Sequence, residues 1–185
     1  MFKFSLSILS AVLLASPVSA ATKIPQTHRN LLQAIEDVGG YSYVNNNYFC
    51  GEADAPDGLY TWNDRGETAL VVCQDNATTE QEVVWTLNDL DTLRHEAWHM
   101  VQDCLFDSRG DSNLSPLSYS EEYVQLLVST AQDVLGVERV KSIIVTYTEN
   151  GADPNTVLME IEAFLVAATT DPDIIANKLR NSCGV

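Results

Sequence analysis

Residues 82–106 read EVVWTLNDLDTLRHEAWHMVQDCLF, and the pattern of the chain changes inside them. EVVWTL is rich in β-branched and aromatic residues and reads as a strand. From about Thr92 to Phe106 the apolar residues instead recur at helical spacing, with Leu93, Ala97, Val101, Cys104 and Leu105 marking one packed side. Asp89 or Asp91 can cap that helix. Upstream, YSYVNNNYFC (41–50), GLYTW (58–62) and TALVVC (68–73) are short β-rich runs parted by turn clusters. They predict a small, mostly antiparallel sheet of three or four strands. Ahead of them, Leu31, Leu32, Ile35 and Val38 make residues 26–38 an amphipathic helix stopped by Gly39-Gly40.

Downstream the signals are helical. Ser118 with Glu121 fits a capping box before a helix that ends at Gly136, and a helical run follows over 137–147. Asp153-Pro154 and Asp171-Pro172 each put an acceptor at the N-cap and proline at the first helical position, opening helices over 154–169 and 172–182. Strands first and helices after, without strand–helix alternation, predict an α+β fold.

Residues 1–20, MFKFSLSILSAVLLASPVSA, have a single early positive charge, a short apolar run and small residues before Ala21. That is the anatomy of a secretory signal peptide cleaved after Ala20, leaving residues 21–185 as one domain. The apolar run is too short to span a bilayer. An exported protein meets an oxidising compartment, so the four cysteines read as two disulfides, Cys50–Cys73 and Cys104–Cys183. Ten Lys+Arg against 26 Asp+Glu give a net charge of -16, which excludes nucleic acid and anionic membrane surfaces as partners and suits a soluble secreted chain. Asn76 and Asn113 head N-glycosylation patterns, which carry meaning only in a eukaryotic host.

Two of the three histidines fall in His95-Glu96-Ala97-Trp98-His99, the pattern H-E-x-x-H. On a helix His95 and His99 stack on one face, where both imidazoles reach a single ion, and Glu96 is turned about 100° from His95, able to meet a water there without ligating. A shuffled chain of this composition carries the pattern about once in 500, so chance is a poor explanation. A catalytic zinc site commonly has three protein ligands and one open position. No third histidine follows at the needed spacing, His28 near the start of a helix reads as solvated, and paired cysteines cannot ligate. A carboxylate remains. Glu121 and Glu122 lie at a plausible distance, though a helix's first turn favours them anyway. Glu160 and Glu162 interrupt the apolar helix VLMEIEAFLVAA, where an ionised carboxylate needs a positive partner; two residues apart, only one can face the histidines.

H-E-x-x-H on one helix with Glu160-Ile161-Glu162-Ala163 on a later one resembles the gluzincin class of zinc metallopeptidases. The resemblance implies Zn²⁺ held by His95, His99 and Glu160, with Glu162 in reserve, and Glu96 as the catalytic base acting on peptide or protein substrates. It implies an oxyanion donor too, for which Tyr119, Tyr123 and above all Tyr147 are candidates; Trp85 and Trp98 read as core. Similar families often carry Asp or Asn four residues after the glutamate ligand to orient a histidine. Here that position is Phe164, so the orienting group is expected to be Asp103 or Glu162. The same residues would serve an amidase acting on non-peptidic amides, or a non-catalytic protein that keeps zinc.

Overall fold

A computed structural model describes residues 24–52, 55–105, 110 and 113–184. The leader expected over 1–20, and Phe106 at the expected end of the motif helix, lie outside them. The described elements run α1 (Gln26–Asp37), β1 (Tyr41–Val44), α2 (Asn47–Cys50), β2 (Gly58–Trp62), β3 (Thr68–Val72), α3 (Leu87–Asp103), α4 (Glu121–Leu135), α5 (Val137–Glu149), α6 (Pro154–Thr169) and α7 (Pro172–Ser182). The fold is α+β.

The sheet has three strands in the order β1-β3-β2 and is mixed rather than mostly antiparallel. β2 pairs with β3 antiparallel, Tyr60 opposite Leu70, while β1 pairs with β3 parallel, Tyr43 opposite Val71. The parallel pairing follows from the connection. After β1 the chain leaves the sheet through α2 and enters β2 on the far side of β3, so β1 is left to flank β3 in the same direction. Asn45, with φ 55, ends β1 in the left-handed conformation that asparagine tolerates. Its amide donates to Gln74 Oε1 and to the Gln81 carbonyl, both at 2.9 Å.

The same glutamine explains why EVVWTL is not a strand. The Val83 N–H donates to Gln74 Oε1 at 2.8 Å and its carbonyl accepts from Gln74 Nε2 at 3.1 Å, so a side chain replaces the ladder there. Helix α3 then begins a turn earlier than expected. Thr86 is the N-cap: its hydroxyl accepts from the Asp89 N–H, and the Asp89 carboxylate accepts from the Thr86 N–H, a reciprocal box. The α4 cap is Ser120, accepting from the Tyr123 N–H, and not Ser118. Asp153 and Asp171 cap α6 and α7, each with proline in the first turn, as their dipeptides predict.

Two apolar clusters form. The first gathers Leu31 and Ile35 from α1, Leu70 and Val72 from β3, Leu93, Met100 and Val101 from α3, and Ile175 and Leu179 from α7. The second joins Leu127 and Ala131 of α4, Val140, Ile143 and Tyr147 of α5, and Leu158 and Ile161 of α6. Each such aliphatic side chain contributes about 1.5–3 kcal/mol on burial. Helix α6 belongs to both, because Ala163 reaches the first cluster. Trp85 and Trp98 are buried. Disulfides Cys50–Cys73 and Cys104–Cys183 form, the expected pairing among the three that four cysteines allow, and they fit an oxidising, extracytoplasmic setting. No helix among the described residues is long and apolar enough to cross a membrane.

Candidate metal centre

Helices α3 and α6 pack together and bring His95, His99 and Glu160 to one point. His95 Nε2 and His99 Nε2 are 3.0 Å apart, and Glu160 Oε2 lies 3.3 Å from the first and 3.5 Å from the second. The circle through these atoms has a radius of about 1.9 Å, so an ion roughly 0.7 Å off their plane would be about 2.0 Å from each, the zinc–nitrogen and zinc–carboxylate distance. Glu160 Oε2 is buried with no hydrogen-bond partner among the described residues. An ionised oxygen in that position calls for a cation. The residues present fit a metal ion.

The electrostatics agree. Burial opposes ionisation of Glu160, yet the His99 and His95 imidazoles hold its carboxyl well below the usual carboxylate range. Burial would lower His99, but the charges of Glu160 and Glu96 raise it to about 9. A positive charge, proton or metal, is favoured among these groups.

Glu160 and Glu162 sit on opposite sides of α6 and have different partners. Glu162 is 1% exposed and saturated by donors: Trp98 Nε1 at 2.7 Å, the Tyr123 hydroxyl at 2.7 Å, the Leu117 N–H at 3.0 Å and, more weakly, Gln102 Nε2 at 3.4 Å. Its oxygens are occupied by these donors, and it lies outside the cluster of His95, His99 and Glu160. Glu121 and Glu122 are exposed in the first turn of α4 and lie away from the centre.

The group that orients a histidine is Gln102, which the sequence reading missed. His99 Nδ1 donates to Gln102 Oε1 at 2.7 Å, so that in the neutral ring Nε2 is the nitrogen without a proton toward the triad, while Gln102 Nε2 donates to the Met159 carbonyl at 3.1 Å. The signal was present: Gln102 is three residues after His99, on the same helical face. Neither expected group takes this role. Asp103 accepts from the Tyr60 hydroxyl and from the Gly110 N–H, and Glu162 reaches His99 only through Gln102. At His95 the Phe164 ring packs 4.4 Å away, and Nδ1 has no hydrogen-bond partner among the described residues.

Glu96 lies beside the triad under the edge strand β2. A Cβ at Gly58 would stand 3.0 Å from Glu96 Oε1, so glycine lets the strand come this close, and the Tyr60 N–H donates to the carboxylate. Burial raises the Glu96 carboxyl, against the pull of the two imidazoles, making it a better proton acceptor than an exposed glutamate. Triad and Glu96 line a cleft of about 670 Å³, the size of a small-ligand site, walled by β2, α3, α5 and α6. Of the three tyrosines, Tyr119 and Tyr147 line it, whereas Tyr123 is engaged by Glu162. His28 is far from solvated: it is 6% exposed on α1, and burial with Arg94 nearby lowers its imidazole to about 4. No protein family, curated protein or solved structure matches this chain.

Proposed function

We propose that the chain is an exported zinc-dependent hydrolase of peptide bonds, with His95, His99 and Glu160 as ligands and Glu96 as the general base. The observation that carries the proposal is the triangle of two imidazole nitrogens and a buried carboxylate oxygen with no partner beyond them among the described residues, with a second buried carboxylate, Glu96, beside it. Bound there, Zn²⁺ would supply Lewis acidity to a substrate carbonyl and acidify a water. Gln102 holds His99 in the ligating tautomer. Glu96 takes a proton from the attacking water and returns it to the leaving amine, while the Tyr60 N–H keeps the carboxylate aimed into the cleft. The two disulfides suit export.

The test measures metal content and hydrolysis on one set of proteins. Wild type should carry about one zinc per chain and cleave a peptide library. Glu96→Gln should keep the ion and lose hydrolysis by about 10²–10⁴-fold, the range for removal of a general base. Glu160→Ala should lose the ion, whereas Glu162→Gln should retain it. Undiminished turnover by Glu96→Gln, or zinc bound equally well by Glu160→Ala, would refute the assignment.

A further inference from the structure

The cleft that holds the triad is lined by carboxylates, Asp57, Asp91, Glu96, Asp153 and Glu160, and apart from the triad's own histidines the basic side chain among its described lining residues is Arg139. Arg94, Lys141 and Arg180 each pair with a carboxylate. Arg139 does not: among the described residues its contact is the ring of Phe164, with the guanidinium carbon 5.1 Å from the centroid. Arg29, Arg65 and Lys178 also have no ion pair among the described residues, but they do not line the cleft; Arg139, half-buried, shares it with five carboxylates and pairs with none of them. A guanidinium stacked on a ring keeps its N–H donors directed outward in the fork that matches a carboxylate. Phe164 in turn packs on His95, so the charge lies within roughly 10 Å of that imidazole. A peptide covers about 3.5 Å per residue, so this is at most about three residues from a bond seated at the triad.

We propose that Arg139 is the carboxylate-binding residue of the cleft, so that the substrate carries one carboxylate, a chain terminus or an acidic side chain, within about three residues of the bond to be cut. The surrounding acids sharpen the preference. They disfavour a negative charge elsewhere along the cleft, so a single anion is accepted at a single place. Phe164, one turn beyond Glu160, holds the guanidinium and sets its distance from the triad.

The inference rests on the hydrolase reading for the role of the cleft, and its test separates the two. Peptide binding is measured by calorimetry on the Glu96→Gln protein loaded with zinc, using two matched pairs of short peptides. One pair differs as C-terminal acid against C-terminal amide. The other, blocked at both ends, differs as internal Glu against Gln. In at least one pair the acid should bind about tenfold tighter than its neutral match, and the responding pair identifies the carboxylate's source. Adding Arg139→Gln should erase the difference, Arg139→Lys should keep part of it, and Lys141→Gln, on the same helix but paired with Glu138, should leave it intact. A packing role alone would not move this ratio. No acid preference in either pair, binding of neither member, or a preference that survives Arg139→Gln overturns the inference. Cleavage by wild type is scored separately. Arg139-dependent binding without cleavage refutes the hydrolase and keeps the carboxylate site; cleavage without acid preference does the reverse.

Discussion

Glu160 and Glu162 differ by two positions in one helix and have opposite fates. Their sequence context predicts only that one faces the histidines; what lies across from each decides which. Glu162 meets Trp98, Tyr123 and a backbone N–H, all neutral donors, whereas Glu160 meets two imidazoles. The consequence appears in protons. In the metal-free protein His99 is raised from 6.5 to about 9, so the stabilisation from its charged form is full below pH 6.5 and is lost as pH rises through 9. A metal must displace that proton. Zinc binding at pH 7.5 should therefore release about one proton per ion, falling toward zero well above pH 9. Calorimetry in two buffers of different ionisation enthalpy reads the number directly. No release at pH 7.5 would mean that His99 is neutral before the metal arrives.

At the scale of elements, what could be read from sequence is what is local. Asp153-Pro154 and Asp171-Pro172 place helix starts correctly because a cap needs only its own next few residues. The α3 cap is Thr86 and neither Asp89 nor Asp91: Thr86 and Asp89 belong to one reciprocal box, in which the acid looks like the cap when its partner reads as a strand residue. The parallel β1–β3 pairing and the Gln74 clamp on Val83 join residues far apart in the chain, and no local pattern reports them. Nor does the approach of β2 to α3, on which Glu96 depends. At Gly58 an added Cβ would press on Thr92 and on the Glu96 stem, 2.9 Å from its Cγ. Gly58→Ala should push the strand outward at a cost of about 1–3 kcal/mol in stability and break the Tyr60 N–H contact to Glu96. Peptide turnover should fall about tenfold or more with zinc content unchanged, since no ligand is touched. Full activity in that variant would show that β2 does not position the base.

The whole molecule is two apolar clusters that meet along α6, and its covalent ties all lie on one side. Cys50–Cys73 fastens α2 to the end of β3, and Cys104–Cys183 fastens the end of α3 to the end of α7, so both serve the cluster built on the sheet. Helices α4 and α5 are held through α6 by packing, by the donors around Glu162 and, on the proposed reading, by the ion that joins α3 to Glu160. Metal and disulfides should thus stabilise different halves. By the chain-entropy rule, closing the loop between Cys104 and Cys183, a separation of 79 residues, contributes about 4.5 kcal/mol, and the 23-residue separation of Cys50 and Cys73 about 3.4 kcal/mol. Cys104→Ala with Cys183→Ala should lower the melting temperature by about 9–18 °C and raise amide exchange chiefly in α1, α3 and α7. Chelation of the metal should instead raise exchange chiefly in α4, α5 and α6 with both disulfides intact. Exchange mapped after each treatment distinguishes the two supports. If chelation loosened α1 and α7 as much as α4 and α5, the ion would be a general stabiliser rather than the clasp between the two clusters.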